Sequence, residues 1–400
     1  MIGNLISWLT QVLTVTWFNL SNIRARLGWS ASTIIGIAGV VMVCVGILSI
    51  ASGFRSTLAS TGDAESIIVM RSGSGTEMMS GLGMDSTKII GDAPGVGRGE
   101  AGALASSELF VIVDVPKKSS GTDANVPLRG VSPAAYEVRG DFEILEGRTF
   151  EPGRKEIIVG EAAAGEFAGL DVGAQLRWGE NDWTVVGIFS TGGTAEDTEI
   201  WCDAKVLQPA YRRGNSFQSV HVRLASGDQF DTFKDALTTD PRLNVKVISK
   251  ADYWADQASA TAGFIQVFGM VIGGLMGFGA IFGALNTMYT AVSTRTKEIA
   301  TLRALGFGSG PVVISVLVEA VLLALVGGIV GCALAYLFFN DFRAATLNFQ
   351  TFSQIAFAFA VTPPLLIGGI VYSLVMGFVG GFFPAIRAAY LPVATALRQH

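Results

Sequence analysis

Four long stretches of this chain carry almost no charge. Ala31–Phe54 lies between Arg26 and Arg55, and Gln257–Thr294 lies between Asp256 and Arg295. Between Arg303 and Arg343 the ionisable groups are Glu319 and Asp341, and from Ala344 to Ile386 there are none. A helix needs roughly 20 apolar residues to cross a hydrocarbon core of about 30 Å. Each stretch supplies that many, which predicts membrane spans near 31–53, 263–292, 311–339 and 364–386. The second run is 38 residues long and would measure about 57 Å as one helix. It is therefore expected to tilt, or to continue outside the bilayer as a stalk.

Between the first two runs the pattern changes to short alternating segments. Glu65–Met70, Glu108–Val113, Glu156–Val159, Ala174–Arg177, Trp183–Phe189 and Ser219–Leu224 read as strands. Met84–Asp92 and Asp228–Thr238 read as helices. The stretches 71–83, 116–127 and 190–198 are rich in Gly, Pro and Ser and read as turns or mobile loops, with Thr191–Glu199 an exposed one. The fold class expected is thus an α-helical membrane protein with four transmembrane helices. A mixed α/β extracytoplasmic domain is inserted between helices 1 and 2. The predicted order is an interfacial amphipathic helix over 1–28, a first span over 29–58 and the α/β domain over 59–255. A stalk with the second span follows over 256–293, then a basic helix over 294–310 and a third span over 311–340. A short outer connection over 341–362, a fourth span over 363–390 and a tail over 391–400 complete the chain.

Composition sharpens this picture. Half the 400 residues are hydrophobic and 15% are charged, against about 25% in ordinary soluble domains; mean hydropathy is +0.48. A secretory signal fits the first run poorly, because such signals have apolar cores of only about 7–15 residues. Orientation follows from Lys and Arg in the short segments. With both termini in the cytoplasm, Arg24, Arg26, Arg295, Lys297, Arg303, Arg387 and Arg398 lie inside, and Arg343 alone lies in the short outer connection. The segment 54–258 holds 30 of the 33 acidic residues and 20 of the 28 basic ones, which argues against a nucleic-acid partner.

Candidate chemistry is sparse. No G-x-x-x-x-G-K-[ST] phosphate loop occurs, so no cofactor is expected in this chain, and ATP and Mg would be held by a partner. Gly97-Arg98-Gly99-Glu100-Ala101-Gly102 matches G-x-G-x-x-G, but a turn precedes it and a strand-like run follows, the reverse of what dinucleotide binding needs. The two histidines, His221 and His400, and the three cysteines, Cys44, Cys202 and Cys332, form no metal or catalytic spacing. No catalytic residues are expected. The outer domain is expected to hold together by packing alone, its carboxylates showing no distinguishing arrangement.

Two features of the spans stand out. Gly269, Gly273, Gly277, Gly279 and Gly283 repeat small-xxx-small spacing, which lets helices approach closely in lipid; they are candidates for helix packing or for a dimer interface. Glu319 is a carboxylate early in a span, where ionisable groups are costly. It is expected to make a structural or gating contact, pairing with a basic residue of 295–303 or bonding to Asn286.

Residues 294–322, TRTKEIATLRALGFGSGPVVISVLVEAVL, resemble the signature of MacB/FtsX-type ABC permeases. The matching positions are Arg295, Glu298, Ile299, Leu302, Arg303, Ala304, Leu305, Gly306 and Glu319-Ala320. The C-terminal GGFFPAIRAAYLPVATALR, with Pro384, Pro392 and Leu397, resembles the family's closing motif. Ala93-Pro94-Gly95-Val96, Gly130-Val131-Ser132-Pro133, Gly147-Arg148-Thr149-Phe150 and Trp183–Ile188 resemble its periplasmic core. The resemblance implies a two-lobed outer domain, one lobe continuous over about 125–203 and the other assembled from flanking pieces. It implies that 294–310 is a coupling helix docking on a cytoplasmic ABC ATPase dimer through Arg295, Glu298, Ile299, Leu302, Arg303 and Gly306. The implied partners also include a second copy or a related permease, and a periplasmic adaptor. The implied activity is efflux or extraction of a substrate across or from the bacterial inner membrane. The alternative is a signalling scaffold that activates a periplasmic enzyme.

Overall fold

In the computed structural model, residues 2–21, 27–100, 102–348 and 350–390 are described. Arg24, Arg26, Ala101 and the closing-motif residues Pro392 and Leu397 lie outside them. The chain divides into two units. One comprises Met1–Ser52, Phe264–Asp341 and Ala360–His400, and the other Gly53–Gly263 with Phe342–Phe359.

The first, membrane unit is helical. Helix α1 spans Ile2–Ser21 and α2 spans Leu27–Ala59. Among the described residues, four helices are long and apolar enough to cross a membrane. They are α2, α8 (Lys250–Thr294), α10 (Ser309–Phe339) and α11 (Pro363–Ala389), with the short α9 (Thr296–Ala304) between α8 and α10. Their near-uniform apolarity suits lipid on the outside, so the packed faces are set by size. A Cβ at Gly331 of α10 would lie 2.6 Å from the Ala38 carbonyl of α2, and one at Gly377 of α11 would lie 2.3 Å from the Ala324 Cβ. Only glycine permits these approaches. Ile37, Val41, Val45, Ala324, Cys332 and Met376 fill the centre.

The second, outer unit is built on a ten-stranded sheet. In chain order its strands are β1 (Ser66–Arg71), β2 (Ala105–Pro116), β3 (Asp123–Val131), β4 (Glu143–Gly147) and β5 (Glu156–Gly160). They continue as β6 (Gln175–Trp178), β7 (Asn181–Ser190), β8 (Ile200–Asp203), β9 (Ser219–Arg223) and β10 (Val245–Ser249). The spatial order is β10-β1-β9-β2-β3-β8-β5-β7-β4, with β6 paired to β7. Strands β8 and β3, and β7 and β5, run parallel. The helices of this unit are α3 (Met84–Gly91), α4 (Ala135–Arg139), α5 (Glu161–Glu166), α6 (Ala204–Ala210) and α7 (Phe230–Thr238).

Strand β2 divides the sheet. Ala105–Glu108 pair with β9, and Leu109–Pro116 pair with β3. On one side of this handover Ile67, Val69, Ile90, Val222, Phe233 and Leu237 form one apolar centre. On the other, Val126, Leu128, Ile157, Phe167, Trp183 and Ile200 form a second.

Several loop expectations need correction. The predicted exposed loop Thr191–Glu199 is instead a buried 3-10 turn over Ala195–Thr198, with Glu196, Asp197 and Glu199 each about 2% exposed or less. Its polarity is absorbed locally: Asp197 accepts the Thr191 and Gly193 amides and the Thr191 hydroxyl. The stretch 71–83 carries a 3-10 turn at Glu77–Met79 with Glu77 buried. Of 116–127, Pro116 and 123–127 are strand, because β2 and β3 continue as a long antiparallel ladder to Pro116↔Asp123, and the residues between them form the expected turn. The outer connection after α10 forms a hairpin of β11 (Arg343–Leu347) and β12 (Gln354–Ala358). It belongs to the outer unit, where the Ala356 amide donates to Thr198 Oγ1 and Asn125 Nδ2 donates to the Phe352 carbonyl. The G-x-G-x-x-G match is a two-stranded turn, Arg98–Gly99 against Gly102–Ala103, with no helix following.

Candidate coupling site and a buried ion network

Helix α9 follows α8 after the single residue Arg295. Its end is a Schellman motif: the Gly306 amide donates to the Arg303 carbonyl and the Phe307 amide to the Leu302 carbonyl. Gly306 takes φ +97° to close it, a backbone that glycine adopts without strain. The six residues proposed for coupling divide by direction. Arg295 and Ile299 face inward, Ile299 packing with Met288, Val292, Val312, Val316 and Ala388. Leu302 and Arg303 are half-buried, and Glu298 and Gly306 are exposed. Leu305, not singled out as a docking residue from the sequence, is 72% exposed.

Glu319 of α10 accepts a hydrogen bond from Arg295 Nη2, both side chains being buried. This is the pairing with a basic residue of 295–303 expected from the sequence. Helix α1 packs on the same corner. Asn19 Nδ2 donates to Ser315 Oγ at 2.8 Å, and the Gly308 amide donates to Gln11 Oε1 at 3.3 Å.

The glycines of α8 also divide. Cβ atoms at Gly269, Gly273 and Gly277 would meet Ile47, Cys44 and Tyr372 of α2 and α11, at 2.8, 3.0 and 2.1 Å. They serve close packing within this bundle. Gly279 and Gly283 have nothing within 4 Å.

The outer unit holds a feature that sequence reasoning missed. Arg129 of β3, 1% exposed, is bonded to three carboxylates. Its Nε and Nη2 donate to the two Glu199 oxygens, both at 2.7 Å. Nη1 and Nη2 donate to Glu77 at 2.9 and 3.0 Å, and Nη1 reaches Glu108 at 3.0 Å. Arg139 of α4 pairs with Glu108 and Glu196, and Lys250 at the start of α8 pairs with Glu196 at 2.9 Å. His221 Nε2 lies 2.8 Å from Glu77, Ser219 Oγ donates to Glu77, and Trp201 Nε1 donates to Glu199. Burial would raise the carboxyl pKa of Glu108, but Arg139, His221 and Arg129 outweigh it and hold it at about 2. Glu196 is likewise held at about 2 against burial by Lys250 and Arg139, and Glu77 lies well below the usual range beside Arg129 and His221. The domain is therefore held by ion pairing as well as by packing. The partners are up to 144 residues apart in the chain, and no local pattern marks them.

Four long apolar helices, a short basic helix between the second and third, and a sheet-based domain inserted after the first define a multi-span membrane protein of the permease kind. Residues 30–240 match the MacB-like periplasmic core domain family, and 270–393 match the FtsX-like permease C-terminal family; the chain belongs to the MacB/FtsX-type ABC transporter permeases. Among similar proteins is a macrolide export ATP-binding/permease protein MacB of Neisseria meningitidis. It is 23% identical over 99% of this chain and 66% of that protein. The protein of the same name from Bdellovibrio bacteriovorus is 24% identical over 92% of this chain and 59% of its own length. This chain thus spans somewhat less than two thirds of these relatives. A crystal structure of the periplasmic region of MacB from Actinobacillus actinomycetemcomitans aligns with a TM-score of 0.38 at 10% identity, covering 48% of this chain and 92% of that one.

Proposed function

We propose that this chain is a permease that couples ATP hydrolysis by a cytoplasmic ABC ATPase dimer to motion of its outer unit. That motion drives efflux or extraction of a substrate from the periplasm or outer leaflet. The observation that carries this reading is α8. It is one unbroken helix of 45 residues, about 68 Å long at 1.5 Å per residue, starting directly after strand β10 and ending one residue before α9. On this reading a displacement imposed on α9 is passed along α8 toward the strand that precedes it. The exposed Glu298 and Leu305, with Leu302 and Arg303, form the docking side of α9. Arg295 paired to Glu319 and the inward Ile299 tie that side to the bundle. The protein works in the bacterial inner membrane as a pair of permeases with both termini inside, and the open Gly279–Gly283 face of α8 is available to a second copy.

The test is transport in vesicles carrying the permease and its ATPase, with Gly-Gly or Pro placed at Ala260-Thr261. Interior Pro costs a helix about 3 kcal/mol and Gly about 1. Hydrolysis should persist while transport is lost. Transport at the normal rate would overturn the lever. Loss of activation of a periplasmic enzyme, with no substrate moved even by the unaltered protein, would assign the chain to signalling instead. Reporter fusions should place residue 150 outside and residue 300 inside.

A further inference from the structure

The ion network joins three central strands of the outer sheet to the turns and helices packed on them. Its anions lie on the turn after β1 (Glu77), on β2 at the handover between β9 and β3 (Glu108), and within and just after the buried 3-10 turn (Glu196, Glu199). Its cations lie on β3 (Arg129), α4 (Arg139) and the first residue of α8 (Lys250), with His221 of β9 beside Glu77 and Glu108. The first turn of α8 enters this network twice. Lys250 Nζ donates to Glu196 at 2.9 Å, and Tyr253 Oη accepts the Glu77 amide at 3.4 Å, both side chains being buried. The Ala195 amide next to Glu196 donates to Thr61 Oγ1, just past the end of α2.

Buried ion pairs are poor stabilisers compared with apolar groups of the same shape, and the same sheet has two apolar centres to draw on. What ion pairs add is direction. Apolar contacts are non-directional, so a helix seated on them alone can slide. Arg129 holds Glu199 and Glu77 each through two parallel hydrogen bonds, a geometry that fixes both carboxylates in the plane of the guanidinium. A slide of α8 would part Lys250 from the Glu196 carboxylate and Tyr253 from the Glu77 amide that this frame holds in place, leaving a buried charge without its partner.

We propose that this network is a clamp that holds the first turn of α8 to the outer sheet, with Lys250 and Tyr253 as the positioning residues. Its role in transport rests on the lever reading above. The clamp itself is a property of the outer unit and is measured separately.

The experiment follows hydrogen exchange of the 254–260 amides in the purified full-length chain, beside thermal unfolding and ATP-driven transport. In Lys250→Met these amides should exchange at least tenfold faster while those of β5 and β7 are unchanged. Tyr253→Phe should give a smaller acceleration, about threefold, and serves alone where Lys250→Met does not fold. Adding Glu196→Gln to Lys250→Met removes the negative charge that Lys250 balanced, Arg139 keeping Glu108 as its partner. The unfolding temperature should then recover while exchange at 254–260 stays fast, which separates positioning from bulk stability. Unchanged exchange in the single variants overturns the clamp, as does recovery of exchange together with stability in the double variant. Fast exchange with transport at the normal rate upholds the clamp and overturns the lever.

Discussion

The two units fix their packing by different means. In the membrane unit the described helices meet through glycine and alanine, with Gly327, Gly331, Gly377 and Gly381 bringing backbones together, and the ion pair Arg295–Glu319 is buried beside them. In the outer unit four carboxylates and three fixed cations are buried in one connected cluster. The difference follows from the solvent each unit meets. Lipid provides no hydrophobic drive between helices, so close contact and dispersion decide which faces pack. In water, apolar burial drives collapse without setting direction, and a satisfied polar cluster specifies which arrangement is reached. The membrane unit is thus specified by size, and the outer unit by directed bonds laid over an apolar core.

The largest effect that could break this contrast is at Arg129. Arg129→Met leaves Glu77, Glu108 and Glu199 without their shared cation and should destabilise the outer unit by about 3–5 kcal/mol. Limited proteolysis of the full chain should show the outer unit cleaved early and the four spans protected. Equal protection of the outer unit would mean that the network is dispensable.

Acid should separate the units next. Carboxyls held at about 2, as Glu108 and Glu196 are, stabilise the fold above their ordinary value of about 4.5. That contribution is lost as pH falls from there toward 2, on the order of 2–3 kcal/mol per group. Tryptophan fluorescence should report loss of outer-unit structure in this window. Unfolding with no acid limb would show that the cluster is not ionised as drawn.

Enlarging the glycines probes the other side of the comparison. Gly331→Leu should cost about 1–3 kcal/mol through forced separation of α10 from α2, seen as a lower unfolding midpoint in detergent. Gly279→Leu has open space and should leave folding unchanged. If copies pair through that face, it should instead lower cross-linking between them.

The smallest effect on folding belongs to Leu305→Asp. At 72% exposure it should shift stability by no more than about 0.5 kcal/mol. Loss of a central anchor typically costs an interface about 2 kcal/mol, near thirtyfold in affinity, so co-purification of the ATPase should fall while the chain folds normally. Leu302→Asp and Arg303→Glu should act in the same direction. Undiminished co-purification of all three would place the docking surface elsewhere.

Much of this was legible in the chain. The four spans, the strands at Glu65–Met70 and Trp183–Phe189, the helix after Arg295 and the pairing of Glu319 with a nearby basic residue all follow from patterns within a few turns of one another. The buried turn at Ala195–Thr198 was not legible, because Gly192-Gly193 and three acidic residues nearby read as a solvated loop. Asp197 is satisfied within the turn, but Glu196 and Glu199 are buried because Arg129, Arg139 and Lys250 arrive from elsewhere. Nor was the direction of each small-xxx-small face, since the same spacing serves Gly269 against α2 and leaves Gly279 open.

The sequence by itself determined where the chain enters lipid, since an uncharged run of sufficient length has the same consequence whatever surrounds it. It also determined the family, because the motifs that carry it are contiguous. Only the tertiary structure decided which carboxylates meet which cations and which glycines face a neighbour. Buried polar contacts between residues 70 or more positions apart depend on the order of strands in the sheet, and that order is a property of the whole fold rather than of any segment.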